Sequence, residues 1–431
     1  MCARAAQQNR ESLGDCGYVE AGTLRPFLWV LLGMVLGCGE ESPTPGAGGS
    51  TVVDSAGVSL VSNPRPRFAT HAPVRFSRRP ITRVGDGDDP GTQFGFVTDA
   101  ARLTDGRVVV LDGQARDVRV FNESGTLERS WGGGGEGPGE FLLPTAVTRL
   151  AGDTVAVVDR RTFRVTSFGP DGVVHTTAQQ QLGFAPSGMP SESCCIPIEA
   201  LSPSRALWRY PTVWSIDGPG DRISNGELVV ASADEAVSLG VFESGIAAPW
   251  PDGVNPVVEK HFSTRLTAAV VGSHVYVGNG SFLGYEVIAL SSGELIQRVS
   301  SDWDLQPVTD ELFDAWSDER RGGRSPELTP RRIESILAIP RAPTLPAYDG
   351  LIVALDGSVW LREPVGLRFA GIESGYHVFA PDGEWLGRVV SPGGLRILEV
   401  GEDYVLGLSR GDFDEMYVEV WGLQYRAEAV P

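Results

Sequence analysis

LDGQARDVRVFNESG (residues 111–125) and VDRRTFRVTSFGPDG (residues 158–172) are two readings of one pattern, displaced by 47 positions. Asp112 recurs as Asp159, Phe121 as Phe168 and Gly125 as Gly172; upstream, Phe94 recurs as Phe141. The correspondence needs no gap from GDGDDPGTQF (residues 85–94) through to FGPDG (residues 168–172). Within each unit the signals are those of antiparallel strands. The apolar run 107–111 follows Asp105-Gly106, a good tight-turn pair, and Val118, Val120 and Phe121 supply a second segment. Asn122 to Gly125 turns the chain into an outer strand at 126–131. The second unit repeats this with 155–158, 165–168 and the turn Gly169 to Gly172. A fixed period of about 40–50 residues built from such short strands is the signature of propeller blades.

The same grammar returns downstream. Asp356-Gly357 and Val359-Trp360 echo Asp105-Gly106 and Val108-Val109, while Val378 to Gly383 echoes Val120 to Gly125. A weaker copy runs through 274–277, 285–290 and Gly293. With GGGGEGPGEFLLP (residues 132–144), VVD (157–159) and SFGPDG (167–172), the chain resembles NHL-repeat six-bladed propellers. Those repeats usually place Asn and Arg after the strand-ending Asp; here Ala115 and Asp117, then Thr162 and Arg164, take those places.

Spacing predicts an all-β, six-bladed β-propeller, with blades at about 94–133, 140–180, 190–243, 258–302 and 345–390. Strands at 394–400, 403–409 and 416–422 leave a sixth blade one strand short, and residues 79–84 can supply it. Closing the ring with strands from both termini removes free sheet edges. Seven blades is the alternative, because 180–258 repeats poorly. One stretch, about 305–340, breaks the β pattern and predicts a small helical insertion. Thr309 can cap a helix with Leu312, Phe313 and Trp316 on one face, and Thr329-Pro330 can open a second. A cover or plug over one propeller face is the first reading of it, a moving lid the second.

The ends of the chain and its charge set an address. The formal net charge is -19 with a pI near 4.7, which leaves no basic field for nucleic acid or for broad adhesion to anionic membranes. The apolar run 27–36 is too short to span a bilayer. It follows Arg25 and ends at Val35-Leu36-Gly37-Cys38, which resembles the lipobox of a bacterial lipoprotein signal. The resemblance implies that the N-terminal extension and signal segment, 1–38, is cut just before its last residue, leaving Cys38 as a lipidated N-terminus, with an ordinary cleaved signal as the alternative. Residues 39–50 (GEESPTPGAGGS) have the composition of a flexible tether with a span of about 20 Å, ahead of the propeller at 51–431. Gly39 in place of Asp fits export to the outer membrane, so the expected location is the bacterial envelope, facing periplasm or exterior. Glu11, Asp15 and Glu20 do not suit a signal leader, which points to a start at Val19 or Leu24. A monomer with membrane contact only through the lipid is expected.

Catalytic motifs are scarce. The five histidines are scattered, no His-Glu-x-x-His or Gly-x-Ser-x-Gly occurs, and no Cys-x-x-Cys pair suggests zinc. Cys194-Cys195 reads as a vicinal disulfide, two buried thiols or a strained turn. Asp86, Asp88 and Asp89 hint at a calcium loop, but Val97 stands where the bidentate Glu belongs; neither metal nor cofactor is expected. Trp131, Trp208, Trp360, Trp385 and Trp421 fall on strands and are expected to pack between blades.

Aligning the units places Asp112, Asp159, Arg209, Asn279, Arg362 and Arg410 at the ends of second strands, around one mouth of the central channel. Arg116, Arg160 and Arg161 follow in the connections. Guanidinium groups grouped on an acidic chain suit a carboxylate, phosphate or sulfate, although Asp–Arg pairs that stitch blades give the same pattern. Two function classes follow. One is a non-catalytic binding or scaffold lipoprotein that uses a propeller face for a partner protein or small anionic ligand. The other is a propeller lyase or hydrolase with a metal or charged cluster at the channel mouth.

Overall fold

The computed structural model describes residues 44–45, 49–87, 91–182, 195–211, 221–249, 258–322, 329–371, 373 and 375–426. Residues 1–43, which include the lipobox-like run and Cys38, together with Asp88, Asp89 and Cys194, lie outside these residues.

The described strands form six sheets arranged as the blades of a β-propeller. Blade 1 comprises Val97–Arg102, Val108–Asp112, Asp117–Phe121 and Leu127–Gly132. Blade 2 repeats it with Pro144–Arg149, Val155–Asp159, Arg164–Phe168 and Val174–Gln179. Blade 3 is longer, with Ile196–Ser202, Arg205–Pro211, Arg222–Ala231 and Ala236–Ala248. Its extended third and fourth strands are why 180–258 obscures the period. Blade 4 contains Thr267–Val271, His274–Gly278, Gly284–Ala289 and Leu295–Ser301. Blade 5 contains Gly350–Val353, Val359–Arg362, Tyr376–Phe379 and Trp385–Val389. Blade 6 has three strands of its own, Arg396–Val400, Tyr404–Arg410 and Met416–Tyr425.

Blade 6 is completed from the N-terminal side, as the spacing predicts. Thr82–Val84 pairs antiparallel with Met416–Tyr425, and Val74–Phe76 pairs with the far end of the same strand. The segment before it does something the repeat does not announce. Val58–Asn63 joins blade 4 in parallel with its outer strand, and Thr51–Ser55 folds back on it as a hairpin. Residues 67–68 then donate to the carbonyls of Trp385 and Leu386 on the outer edge of blade 5. Residues 51–84 are therefore a strap along three consecutive blade edges, and they cover backbone groups that would otherwise invite edge-to-edge pairing. Asn63 pins the strap. It is buried, its amide donates to Ser300 O (3.2 Å) and Gly383 O (3.0 Å), and it accepts from Trp385 N (2.9 Å).

Apolar side chains meet at the seams between blades. Six buried clusters of the described residues correspond to the six seams, from Val109, Trp131, Val157 and Phe168 between blades 1 and 2 round to Val108, Phe121, Leu406 and Val418 between blades 6 and 1. Trp131 stacks on Phe168 with ring centroids 5.5 Å apart. The repeated turn glycine permits this contact. Gly172 has φ +85°, and a Cβ there would lie 2.1 Å from Trp131 Nε1. Trp131, Trp208, Trp360 and Trp385 are all buried, so packing accounts for them.

The predicted insertion consists of helices α1 (Asp310–Gly322) and α2 (Pro330–Leu337). Thr309 Oγ1 accepts from Leu312 N (3.2 Å), and Thr329 Oγ1 accepts from Arg332 N (3.3 Å) ahead of Pro330. Leu312 packs with Val308, Leu345 and Leu367, which seats α1 on the top of blade 5. Among the described residues, no helix is long and apolar enough to cross a membrane.

Candidate functional site

The connections leaving the second strands and entering the first strands share one face of the ring, and the sequence-predicted residues fall there. Asp112 and Asp159 serve the loops. The Asp159 carboxylate accepts from Leu142 N (2.7 Å), Leu143 N (2.9 Å), Arg161 N (2.9 Å) and Thr162 N (2.8 Å). Asp112 accepts in the same way from Gly95, Phe96, Gln114 and Ala115, at 2.8–3.2 Å. Both are buried, and Arg119 lies 3.6 Å from Asp112. The repeat keeps this Asp because one carboxylate satisfies loop N–H groups on both sides of the strand end. Asn279 does related work, accepting from Ser281 N (3.0 Å) through its side chain.

The arginines are arranged differently. Arg209 is half-buried and donates to Leu266 O (2.6 Å). Burial, then the nearby Arg265 and Arg160, push its pKa down, while Glu259 acts against them. Across the mouth, Arg362 holds Asp349 through Nε (2.7 Å). Arg362 also helps depress Arg396, whose pKa is lowered first by burial. Arg410 reaches Asp414 only at 3.8 Å, and both are exposed. Arg116 is exposed in a left-handed conformation (φ 61°) and donates its N–H to Asp112 O, while Arg160 N bonds Leu143 O.

Arg362 and Arg410 open onto one cleft of about 1520 Å³. Four more cations line it: Lys260, Arg265, Arg320 and Arg368. The carboxylates beside them are Glu259, Glu319, Asp349 and Asp414. Arg265 pairs with Glu259 at 3.0 Å and Arg368 with Glu319. The insertion forms one wall. There His261 is packed against Trp316 (4.5 Å between centroids), with Nε2 2.8 Å from Ile336 O. A carbonyl only accepts, so that nitrogen carries the proton. Burial holds the His261 pKa below its ordinary value, and Arg320 adds to the effect. A second hollow of about 360 Å³ lies among Arg116, Leu142, Leu143 and Arg161. Asp112, Asp159, Arg160, Arg209 and Asn279 do not line the larger cleft. The cations that sequence reasoning missed come from the 259–265 connection, the insertion and the turn at 365–370, which lie outside the period and so have no aligned counterpart.

Inside the channel the inner strands bring three acids toward one another. Asp99, Glu199 and Glu399 each follow a register shift in their strand. Each crosses a seam to the next blade: Asp99 accepts from Val147 N (2.9 Å), Glu199 from Val270 N (3.1 Å) and Glu399 from Arg102 N (3.1 Å). Burial raises all three, Asp99 to about 6 and Glu199 to about 7. Among the described residues, no group of three or more His, Cys, Asp or Glu is placed to hold a metal ion. Cys195 is buried and disulfide-bonded, so it is not a free thiol.

No family model matches the chain, and no curated protein matches its sequence. Solved structures similar in shape include a Bacteroides fragilis NCTC 9343 protein thought to be exported, 12% identical, with a TM-score of 0.46 over 85% of this chain and 99% of that one. A member of the DUF4221 family from Bacteroides vulgatus is 10% identical, with a TM-score of 0.47 over 82% of this chain and 99% of that one. Virginiamycin B lyase from Staphylococcus aureus is 8% identical, with a TM-score of 0.39 over 82% of this chain and all (100%) of that one. At these identities the likeness concerns fold alone.

Proposed function

We propose that the protein is a binding module of the bacterial envelope, tethered through lipidated Cys38, whose propeller takes an anionic ligand or partner at the channel mouth. One observation carries this reading: six cationic side chains line a single cleft at the mouth of a chain whose net charge is -19. Burial first, and then neighbouring guanidinium groups, depress two arginines of this face: Arg265 and Arg160 act on Arg209, and Arg362 acts on Arg396. Such a local field favours an incoming anion, which guanidinium can hold through paired N–H donors.

The test is a titration of purified residues 51–431 with citrate, phosphate and sulfate, followed by thermal shift and calorimetry, on the wild type and on an Arg362→Ala, Arg410→Ala double variant. Saturable protection by at least one anion, lost in the double variant while its fold remains intact, is the expected result. Equal protection of both proteins would remove the mouth from the reading. The address is tested separately. Cys38→Ser is expected to move the protein from the membrane fraction to the soluble fraction, and an unchanged distribution would count against the lipid anchor.

A lyase or hydrolase is the second reading, favoured by Glu199. A channel carboxyl raised to about 7 is poised to exchange protons near neutrality. Metal analysis of protein purified without chelator, with Glu199→Gln assayed on lactone and ester panels, discriminates it from binding.

A further inference from the structure

The cleft at the mouth has a size and chemistry that narrow its occupant. Its volume of about 1520 Å³ exceeds the roughly 300–1,000 Å³ that holds a small molecule. Its lining is drawn from blades 1, 5 and 6, the 259–265 connection and the insertion, so an occupant would contact sites around the ring rather than one converging point. Six cations stand among four carboxylates, a mixture that suits a chain carrying several separated charges better than one compact polyanion.

The neutral lining separates two kinds of chain. A glycan would find its hydrogen-bond partners almost entirely among charged groups, since Ser263 is the only Ser, Thr, Asn, Gln or Tyr among the described residues that line the cleft. Apolar side chains stand ready instead. Phe96 and Val365 line the cleft and are 51% and 47% exposed; Phe413 does not line it but lies in sequence between the lining residues Arg410 and Asp414 and is 89% exposed. Aromatic residues and arginine are the types enriched where proteins dock.

Resting on the anion-binding reading above, we propose that the mouth cleft docks an extended peptide segment of a partner protein, acidic and bearing aromatic or aliphatic side chains. The acidic groups of the segment meet Arg265, Arg362 and Arg410 at the mouth. Its apolar side chains cover Phe96, Val365 and Phe413. The salt bridge between Arg410 and Asp414 is long and solvent-exposed, so Arg410 can exchange its carboxylate partner at small cost.

A random nonapeptide phage library panned against residues 51–431 tests the proposal, with Arg265→Glu, Arg410→Glu and Phe413→Ser variants panned in parallel and their folding checked by circular dichroism. The expected outcome is enrichment of peptides combining Asp or Glu with Phe, Leu or Ile. Synthetic copies should bind the wild type with an affinity that falls as salt rises, and should lose about tenfold or more with each charge reversal. Phe413→Ser should weaken the apolar-rich peptides while leaving citrate protection unchanged. Enrichment of basic or uncharged peptides, or equal binding to the reversed variants, would overturn the proposal. Citrate protection without any peptide enrichment would also overturn it, leaving the mouth as a small-anion site. Binding of oligogalacturonate with no peptide enriched would assign the cleft to a glycan instead, and absence of both anion and peptide binding would remove the underlying reading as well.

Discussion

Asp159 stands where a mouth ligand would look for a carboxylate, and its surroundings explain why it belongs to the fold. Four loop N–H groups converge on its two oxygens within 2.9 Å. Removing it orphans buried donors, each worth about 1–3 kcal/mol when left unsatisfied. Asp159→Ala is therefore expected to destabilise the protein by about 3–5 kcal/mol, measured by urea denaturation. A residue reserved for ligand would change the midpoint little. Gly172 makes the complementary point about space. Its left-handed backbone and the contact with Trp131 both exclude a side chain, so Gly172→Ala is expected to cost about 2 kcal/mol or more and to shift the tryptophan emission of the blade 1–2 seam. Unchanged emission in a stable variant would mean that the seam can relax around a methyl group.

At the scale of elements, what could be read from the sequence followed the period and its punctuation. The first two blades, the turn residues, the capping threonines of the insertion and closure through Thr82–Val84 all left marks in residue types that local backbone geometry demands. The strap left none. Val58–Asn63 pairs in parallel across more than 230 residues of sequence, and no local pattern encodes such a partner. The cleft was half legible: Arg362 and Arg410 end repeated strands, whereas Lys260, Arg265, Arg320 and Arg368 come from aperiodic segments. The strap yields its own prediction. Asn63→Ala leaves Trp385 N–H buried without an acceptor and releases two further bonds, so a loss of about 2–4 kcal/mol is expected. Limited proteolysis should then cut the segment before residue 77 earlier than in the wild type. Cleavage starting in the blade connections instead would show that Asn63 does not hold the strap.

Over the whole molecule, the ring closes around a channel whose acids stitch the seams, and this arrangement makes stability depend on pH. Asp99 and Glu199, raised to about 6 and 7 chiefly by burial, hold protons in the folded state that the unfolded chain has already lost. Their contribution is full below the ordinary carboxyl range and disappears as pH rises through 6 to 7. Burial raises Glu399 in the same direction. His261 opposes them below its ordinary pKa, because its folded form resists protonation; above pH 6.5 that opposition fades. At the acid end Glu363 acts in the opposite sense. Burial pushes it up, but His377 at 3.2 Å and the paired Arg388 outweigh this and bring it to about 2, so its contribution is lost as pH falls below about 4.5. The thermal midpoint is therefore expected to fall between pH 6 and pH 8, and scanning calorimetry in matched buffers measures it. Glu199→Gln isolates the cause, since the amide oxygen can still accept from Val270 N while the charge is gone. The variant should match the wild type near pH 5 and exceed it at pH 8 by about 1–2 kcal/mol, allowing for water in the channel. If the variant were weaker at both pH values, the seam bond would require the carboxylate itself, and the pH dependence would have to arise elsewhere in the ring.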